Sequence, residues 1–280
     1  MAWDPAQYHK FRDERAAPFE DLIALLLEAA GSPAPGRGAG DGGRLAGLGL
    51  ETIVDLGCGT GELTARLAAM APGARVVGLD SSTSMLAKAR ALEGARPRGD
   101  LRFVEGAIET WSPERPVSLL FSHAALQWVD GHEALFRRLA SLVAPGGHLL
   151  VQMPSNHGHP SHQIVRGLAA EPPWPARLGG YNREFPVLPI DAYAELLHAA
   201  GLERPTVLER VYGHQLAGSR GVLDWIRGTL LVPYLERLTP ERAEEFLGEL
   251  ATRFVPAMPG NPYYYAFRRT LIAARRPPDR

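Results

Sequence analysis

The positions with the most chemical capability cluster in Val54-Asp55-Leu56-Gly57-Cys58-Gly59-Thr60-Gly61-Glu62. Glycines in a G-x-G-x-G spacing let the chain turn sharply and bring its backbone N–H groups against a ligand, because no Cβ intervenes. A dinucleotide fingerprint needs a further glycine or alanine where this chain has Glu62, and a carboxylate at a helix start repels a pyrophosphate. No Gly-Lys-Ser/Thr follows, so a phosphate-cradling P-loop is excluded too. Asp80 ends the next apolar run, where an acidic side chain meets ribose hydroxyls in such folds. Asp55 lies beside the turn and suits a cationic amino group.

These residues need a scaffold, and the apolar patterning supplies one. Arg15 to Glu28 places Phe19, Leu22, Ile23, Leu26 and Leu27 on one helical face. Strands are predicted at Thr52–Asp55, Arg75–Leu79, Leu101–Val104, Val117–Ser122 and His148–Gln152. Helices are predicted at Leu63–Met70, Ser84–Leu92 and His132–Val143, with a short turn around Trp111. Strands alternating with helices predict an α/β fold with a doubly wound, mostly parallel sheet, whose ligands lie beyond the strands' carboxyl ends. Beyond Pro154 the pattern loosens. Helices are expected at Ile190–Ala200, Val222–Leu231 and Pro240–Phe254, and strands at Val207–Tyr212 and Thr270–Ala274. The expected organisation is one domain over 1–280, with an N-terminal lid and helix in 1–30 and a helical cap inserted between the late strands at 214–262. Gly31 to Gly49, rich in Gly, Pro and small residues, reads as a mobile surface loop.

Composition narrows the function. The chain has 280 residues, with 30 Lys and Arg against 31 Asp and Glu, so a broad phosphate-reading surface for nucleic acid is not expected. The single cysteine, Cys58, excludes an intrachain disulfide framework and a Cys-paired zinc site. No apolar run reaches membrane-helix length, and the first residues lack a secretory signal. The expectation is a soluble, cytoplasmic protein that acts on a small molecule, with no membrane partner.

Two carboxylates, no lysine and an open glycine turn fit a phosphate-free, positively charged adenosyl ligand, namely S-adenosylmethionine. The same segment resembles motif I of the class I S-adenosylmethionine-dependent methyltransferases, and Gly78-Leu-Asp80-Ser81-Ser82 is similar to their ribose-binding motif. The resemblance implies a seven-stranded sheet with a reversed last strand. It also implies cofactor contacts from Asp55, Gly57, Cys58, Gly59, Gly61, Asp80, Ser81 and Ser122, with Ala107 and Ile108 at the adenine. The family commonly has an aspartate where Ala107 stands, which leaves backbone groups to read the base. A narrower resemblance, to trans-aconitate 2-methyltransferases, runs along Trp3-Asp4-Pro5 with Tyr8, Phe11 and Arg15-Ala-Ala-Pro18, then Ala125-Leu-Gln-Trp-Val129 and Val151-Gln-Met-Pro-Ser-Asn156. It continues through Tyr212-Gly-His214-Gln215-Leu216, Asp224-Trp-Ile226 and Phe267-Arg-Arg269. It implies monomethyl esterification of trans-aconitate or a related small polycarboxylate.

A carboxylate acceptor is already ionised at neutral pH, so no general base is required. It needs cations and hydrogen-bond donors, Arg above all. By position the candidates are His123, Gln127 and Trp128 after the fourth strand, His214 and Gln215 after a late one, and Arg269. Arg268 precedes the last strand too; of the pair only one can face inward on a strand, and the family resemblance favours Arg269. Trp3, Tyr8 and Arg15 could close the top. A methyltransferase of the same fold acting on a secondary metabolite, and a non-catalytic S-adenosylmethionine-binding protein, remain open alternatives. His157-Gly-His159-Pro-Ser-His162 lacks a regular ligand face and a nearby carboxylate, so it reads as an exposed loop, with no metal site expected.

Overall fold

The computed structural model describes residues 12–31, 41–94 and 100–279. Trp3 and Tyr8 lie outside the described residues, as does the 32–40 part of the glycine-rich segment, and Arg15 is described only as helix backbone.

Seven strands form one sheet in the order β3-β2-β1-β4-β5-β7-β6. They are β1 (Thr52–Leu56), β2 (Arg75–Asp80), β3 (Asp100–Glu105), β4 (Val117–His123), β5 (Val143–Pro154), β6 (Glu203–Leu216) and β7 (Tyr263–Arg275). β1 to β5 pair in parallel, and β7 runs antiparallel to β5. This is the reversed strand that the resemblance implied. The strand order reverses direction between β1 and β4, the switch point at which open α/β sheets bind ligands.

Alternation along each strand splits the core between the two faces of the sheet. Val54, Leu56, Leu120, Leu149, Val151 and Ile272 belong to one cluster, with Leu135, Phe136 and Tyr193 from covering helices. Ile53, Leu119, Phe121, Leu150 and Ala273 belong to the other, with Phe19, Leu22, Ile23, Leu26 and Leu27 of the helix Arg12–Ala29. A parallel sheet covered on both faces needs such near-continuous apolar strands. The five helix residues expected on one face are all buried.

The chain divides into two compact units. One holds the parallel sheet and comprises Ala16–Pro154, Pro186–Arg210 and Arg269–Arg280; the other is built from Ser155–Phe185 and Val211–Arg268. The second unit is the helical insertion. It is not confined to 214–262 but also takes in the helices Pro160–Ala170 and Trp174–Arg177. Trp174, Tyr234, Phe246, Phe254 and Tyr265 are fully buried in that second unit, which has its own apolar cluster.

The described end of the glycine-rich segment also differs from a surface loop. Leu45 is fully buried, Arg44 pairs with Glu20 at 2.8 Å, and Asp41 receives the Nε of Arg66 at 2.9 Å. Arg66 also pairs with Glu20. One leucine inserted in the core and two shared guanidinium contacts fix residues 41–49 to the helix Arg12–Ala29.

Candidate functional site

The glycine turn joins β1 to the helix Glu62–Met70. Its N–H groups at Gly57 and Cys58 both donate to the Leu79 carbonyl, at 2.8 and 2.9 Å, which anchors the turn to the end of β2. Gly57 has φ +76°, and a Cβ there would stand 2.2 Å from the Ala125 Cβ, so only glycine fits. Gly61, also left-handed, packs against Phe103 and Ala89 in the same way. Gly59 differs: at φ +56° its Cβ direction meets nothing within 4 Å. Gly57 and Gly61 are thus held by packing, and Gly59 presents bare backbone to open space.

Cys58 turns its side chain into the small cluster of Leu86, Ala89 and Phe103, leaving its backbone on the turn. Burial and the neighbouring Asp55 and Asp80 push its thiol well above the ordinary range, so it is no nucleophile.

Asp80 is oriented by backbone on both oxygens. Gly59 N–H donates to Oδ2 and Ser82 N–H to Oδ1, each at 2.8 Å. Each carboxylate oxygen retains acceptor capacity for a ligand hydroxyl. Ser82 caps the helix Thr83–Ala89 at its start, while Ser81 is exposed. Asp55 is buried behind the turn, and the Thr64 hydroxyl donates to its Oδ2 at 2.6 Å. Desolvation pushes its carboxyl up to about 7; the Thr64 bond opposes this, and the Asp80 charge adds to it. Two carboxylates at one strand edge, one of them held half-neutral by burial, would be relieved by a cationic ligand. This donor set, beside the open Gly59, fits S-adenosylmethionine and would repel a pyrophosphate.

The remaining cofactor candidates fall around the same turn. A Cβ on Gly57 would come within 3.6 Å of the Ile108 side chain, and Ala107 is exposed beside it. Arg138 fixes that loop by donating to the carbonyls of Ile108 and Trp111. Ser122 is fully buried and donates to the Leu56 carbonyl at 2.8 Å, so its hydroxyl ties β4 to β1.

Acceptor candidates line the carboxyl edge on the sheet face covered by Phe19. Alternation puts Asp55 with Ile53, His123 with Leu119 and Phe121, Gln152 with Leu150, and Arg269 with Ala273. His123 and Gln152 are direct partners in the β4–β5 register. Arg269 lies diagonally from Gln152 on β7, opposite Pro154. Arg268 is exposed while Arg269 is only 3% exposed, so strand alternation selects Arg269. The Phe19 ring approaches His123 edge-on, with centroids 6.4 Å apart.

Past His123, Ala124 takes a left-handed conformation, φ 56°, rare for a residue with a Cβ. The corner is secured by its N–H donating to the Gln152 carbonyl at 2.8 Å and by Gln127 Nε2 donating to its carbonyl at 2.6 Å. The Gln127 amide nitrogen is therefore engaged in shaping the turn that carries half-buried Trp128. Beneath it, His132 Nε2 reaches the Leu126 carbonyl at 2.9 Å and its Nδ1 meets the Tyr193 hydroxyl. In the sequence Gln152 was marked only by lying within a family match, and Thr64 and His132 by nothing; their partners lie in other elements of the fold.

The second unit has its own polar set. His214 is buried and stacked on Trp225 with centroids 4.6 Å apart, while Gln215 points to the other face of β6 and is exposed. The exposed loop expected at 157–162 is instead the start of a helix. His159 caps Pro160–Ala170, its Nδ1 accepting from the Ser161 N–H at 3.1 Å, and His162 is buried beside Phe185. Burial, with like-charge interactions with His159, His157 and Arg183 opposing protonation, pushes His162 down to about 3. His159 is pushed down to about 4 by burial and Arg268. Among the described residues, no three His, Cys, Asp or Glu side chains gather as a metal site, and no helix is long and apolar enough to cross a membrane.

A seven-stranded sheet with a reversed β7, a glycine turn at the switch point and a carboxylate ending β2 define a class I S-adenosylmethionine-dependent methyltransferase. Residues 53–147 match a methyltransferase domain family. The chain is 43% identical to a trans-aconitate 2-methyltransferase of Deinococcus radiodurans, the alignment covering 99% of each, and 36% identical to one from Escherichia coli, covering 98% of each. The chain belongs to the trans-aconitate 2-methyltransferase family. Among solved structures, the YcgJ protein of Bacillus subtilis superposes with a TM-score of 0.55 at 14% identity, covering 92% of this chain and 99% of that one, which shows the shared fold.

Proposed function

We propose that the chain transfers the methyl group of S-adenosylmethionine to a carboxylate of trans-aconitate or a close small polycarboxylate, forming a monomethyl ester. Full-length identity to relatives bearing that activity in their names supports the acceptor class. The observation that carries the reading on this chain is the buried Arg269 at the carboxyl edge, on the same sheet face as Asp55. A guanidinium there is suited to pairing with an acceptor carboxylate in a forked geometry.

The bound cofactor supplies an electrophilic methyl on its sulfonium. In this reading Asp80 accepts from the ribose hydroxyls, Asp55 faces the amino group, and the backbone of Gly57, Cys58, Gly59 and Gly61 holds the methionine end. Ser81, Ala107 and Ile108 line the adenosyl side, and the buried Ser122 hydroxyl supports the end of β1 from behind. Arg269 and His123 orient the acceptor, with Gln127 and Trp128 shaping its wall. Because the carboxylate is ionised at neutral pH, none of these residues has to remove a proton. What the protein contributes is alignment for in-line attack and exclusion of water. A cytoplasmic location is part of the proposal.

The test is incubation with methyl-labelled S-adenosylmethionine and a panel of trans-aconitate, cis-aconitate and isocitrate. Base-labile label in an acid supports ester formation. Label in none of them overturns the acceptor assignment and favours a secondary-metabolite acceptor or a binding-only role.

A further inference from the structure

Gln152 is fully buried, and its amide sits between two of the proposed acceptor-binding side chains. A guanidinium has only donors, so the amide must turn its oxygen toward Arg269. In that orientation Oε1 accepts from Arg269 Nη1 at 3.0 Å and from the Met153 N–H at 3.1 Å, and Nε2 donates to His123 Nε2 at 3.1 Å. A ring nitrogen that accepts a hydrogen bond carries no proton. The relay from arginine through amide to imidazole therefore dictates one tautomer of His123, neutral with its proton on Nδ1.

We propose that Gln152 is a positioning residue: it holds His123 in the Nδ1–H tautomer and fixes the Arg269 guanidinium, so that both present donors to the acceptor carboxylate. This rests on the reading that His123 and Arg269 face the acceptor. The relay suits a substrate that is anionic and needs no base. A ring nitrogen without a proton would repel a carboxylate, whereas an N–H donates to it. Gln152 does this without adding a charge of its own beside a buried cation. A glutamate there would pair with Arg269 but could not donate to the ring, so His123 would have to turn its proton to Nε2.

The experiment uses the full chain labelled with ¹⁵N-histidine, with His123→Gln assigning the resonance. Wild type is expected to show His123 as Nδ1–H. Gln152→Glu is expected to move the proton to Nε2, and Gln152→Met, similar in length but unable to hydrogen-bond, to leave a mixture. Both variants are expected to raise the acceptor KM about tenfold, with cofactor affinity within about twofold of wild type. A wild-type Nε2–H tautomer, or a signal unmoved in Gln152→Glu, overturns the proposal. If Gln152→Glu does not fold, Gln152→Met carries the same test, and an unmixed Nδ1–H signal there is the refuting result. The tautomer readout needs no acceptor, so it stands apart from the acid panel. Ester formation with an unmoved tautomer sinks the relay alone, and an unlabelled panel with the predicted tautomer shift sinks the acceptor alone.

Discussion

If Asp55 faces the cofactor's amino group, as proposed, cofactor binding is a proton-linked event. Burial pushes the group up to about 7 from 3.8, so near neutrality the ligand-free protein holds it half protonated. A cationic amino group brought against it favours the ionised form, and the proton must leave on binding. With one linked proton, affinity falls about fiftyfold between pH 7 and pH 5, and about 0.9 proton is released per binding event at pH 6. The assay is titration calorimetry with S-adenosylhomocysteine, which keeps the amino group and does not react, in buffers of different ionisation enthalpy. Asp55→Asn should abolish both the release and the pH slope. The same group acts on stability with the opposite sense. The folded chain holds a proton that the unfolded chain loses above 3.8, so folding is progressively penalised as pH rises from about 4 to about 7. The full penalty is about 4 kcal/mol, and Asp55→Asn should gain on wild type in melting temperature across that window and no further above it. Buffer-independent heats at pH 6 would refute the assignment of Asp55 to the amino group.

Asp80→Ala removes the acceptor for the Gly59 and Ser82 N–H groups, and calorimetry should show cofactor affinity reduced at least about tenfold; unchanged affinity would refute the ribose role. Gly59→Ala should cost about 1–2 kcal/mol of stability, because its Cβ meets open space and only the left-handed backbone is strained, yet it should lose cofactor binding. Gly57→Ala, driven against Ala125, should instead lose several kcal/mol in chemical denaturation, and equal losses for the two would contradict the division of roles. His162 has its folded pKa lowered from 6.5 to about 3, so the stability it contributes is lost as pH falls below 6.5. Replacing it with Phe should narrow the loss in melting temperature between pH 7 and pH 5 by the equivalent of about 2 kcal/mol.

How much of this the sequence disclosed depended on how local the cause was. The helix under the sheet was legible because five apolar residues recur at helical spacing, and the cofactor turn was legible because its glycines and following Glu62 are contiguous. The two-residue period of a strand required one of Arg268 and Arg269 to face inward, the family resemblance favoured Arg269, and Arg269 is the buried one. The helix Pro160–Ala170 was misread because a His-Gly-His-Pro stretch looks like a breaker. Here Pro160 occupies the first turn, where its missing N–H is harmless, and His159 caps it. Leu45 was hidden in a run of glycines whose average character is that of a loop, although one buried leucine anchors it. Gln152 was quoted within a family match but given no task. Its task comes from the register of three strands, β4, β5 and β7, and no window along the chain contains that register.

The contact between Gly57 and Ala125 has a consequence for substitution at either residue. One hydrogen on the glycine turn and one methyl on the corner after β4 share a gap too small for anything more. A larger side chain at residue 125 must first displace the Gly57 turn. Any gain in size at residue 125 is therefore coupled to a shift of the glycine turn.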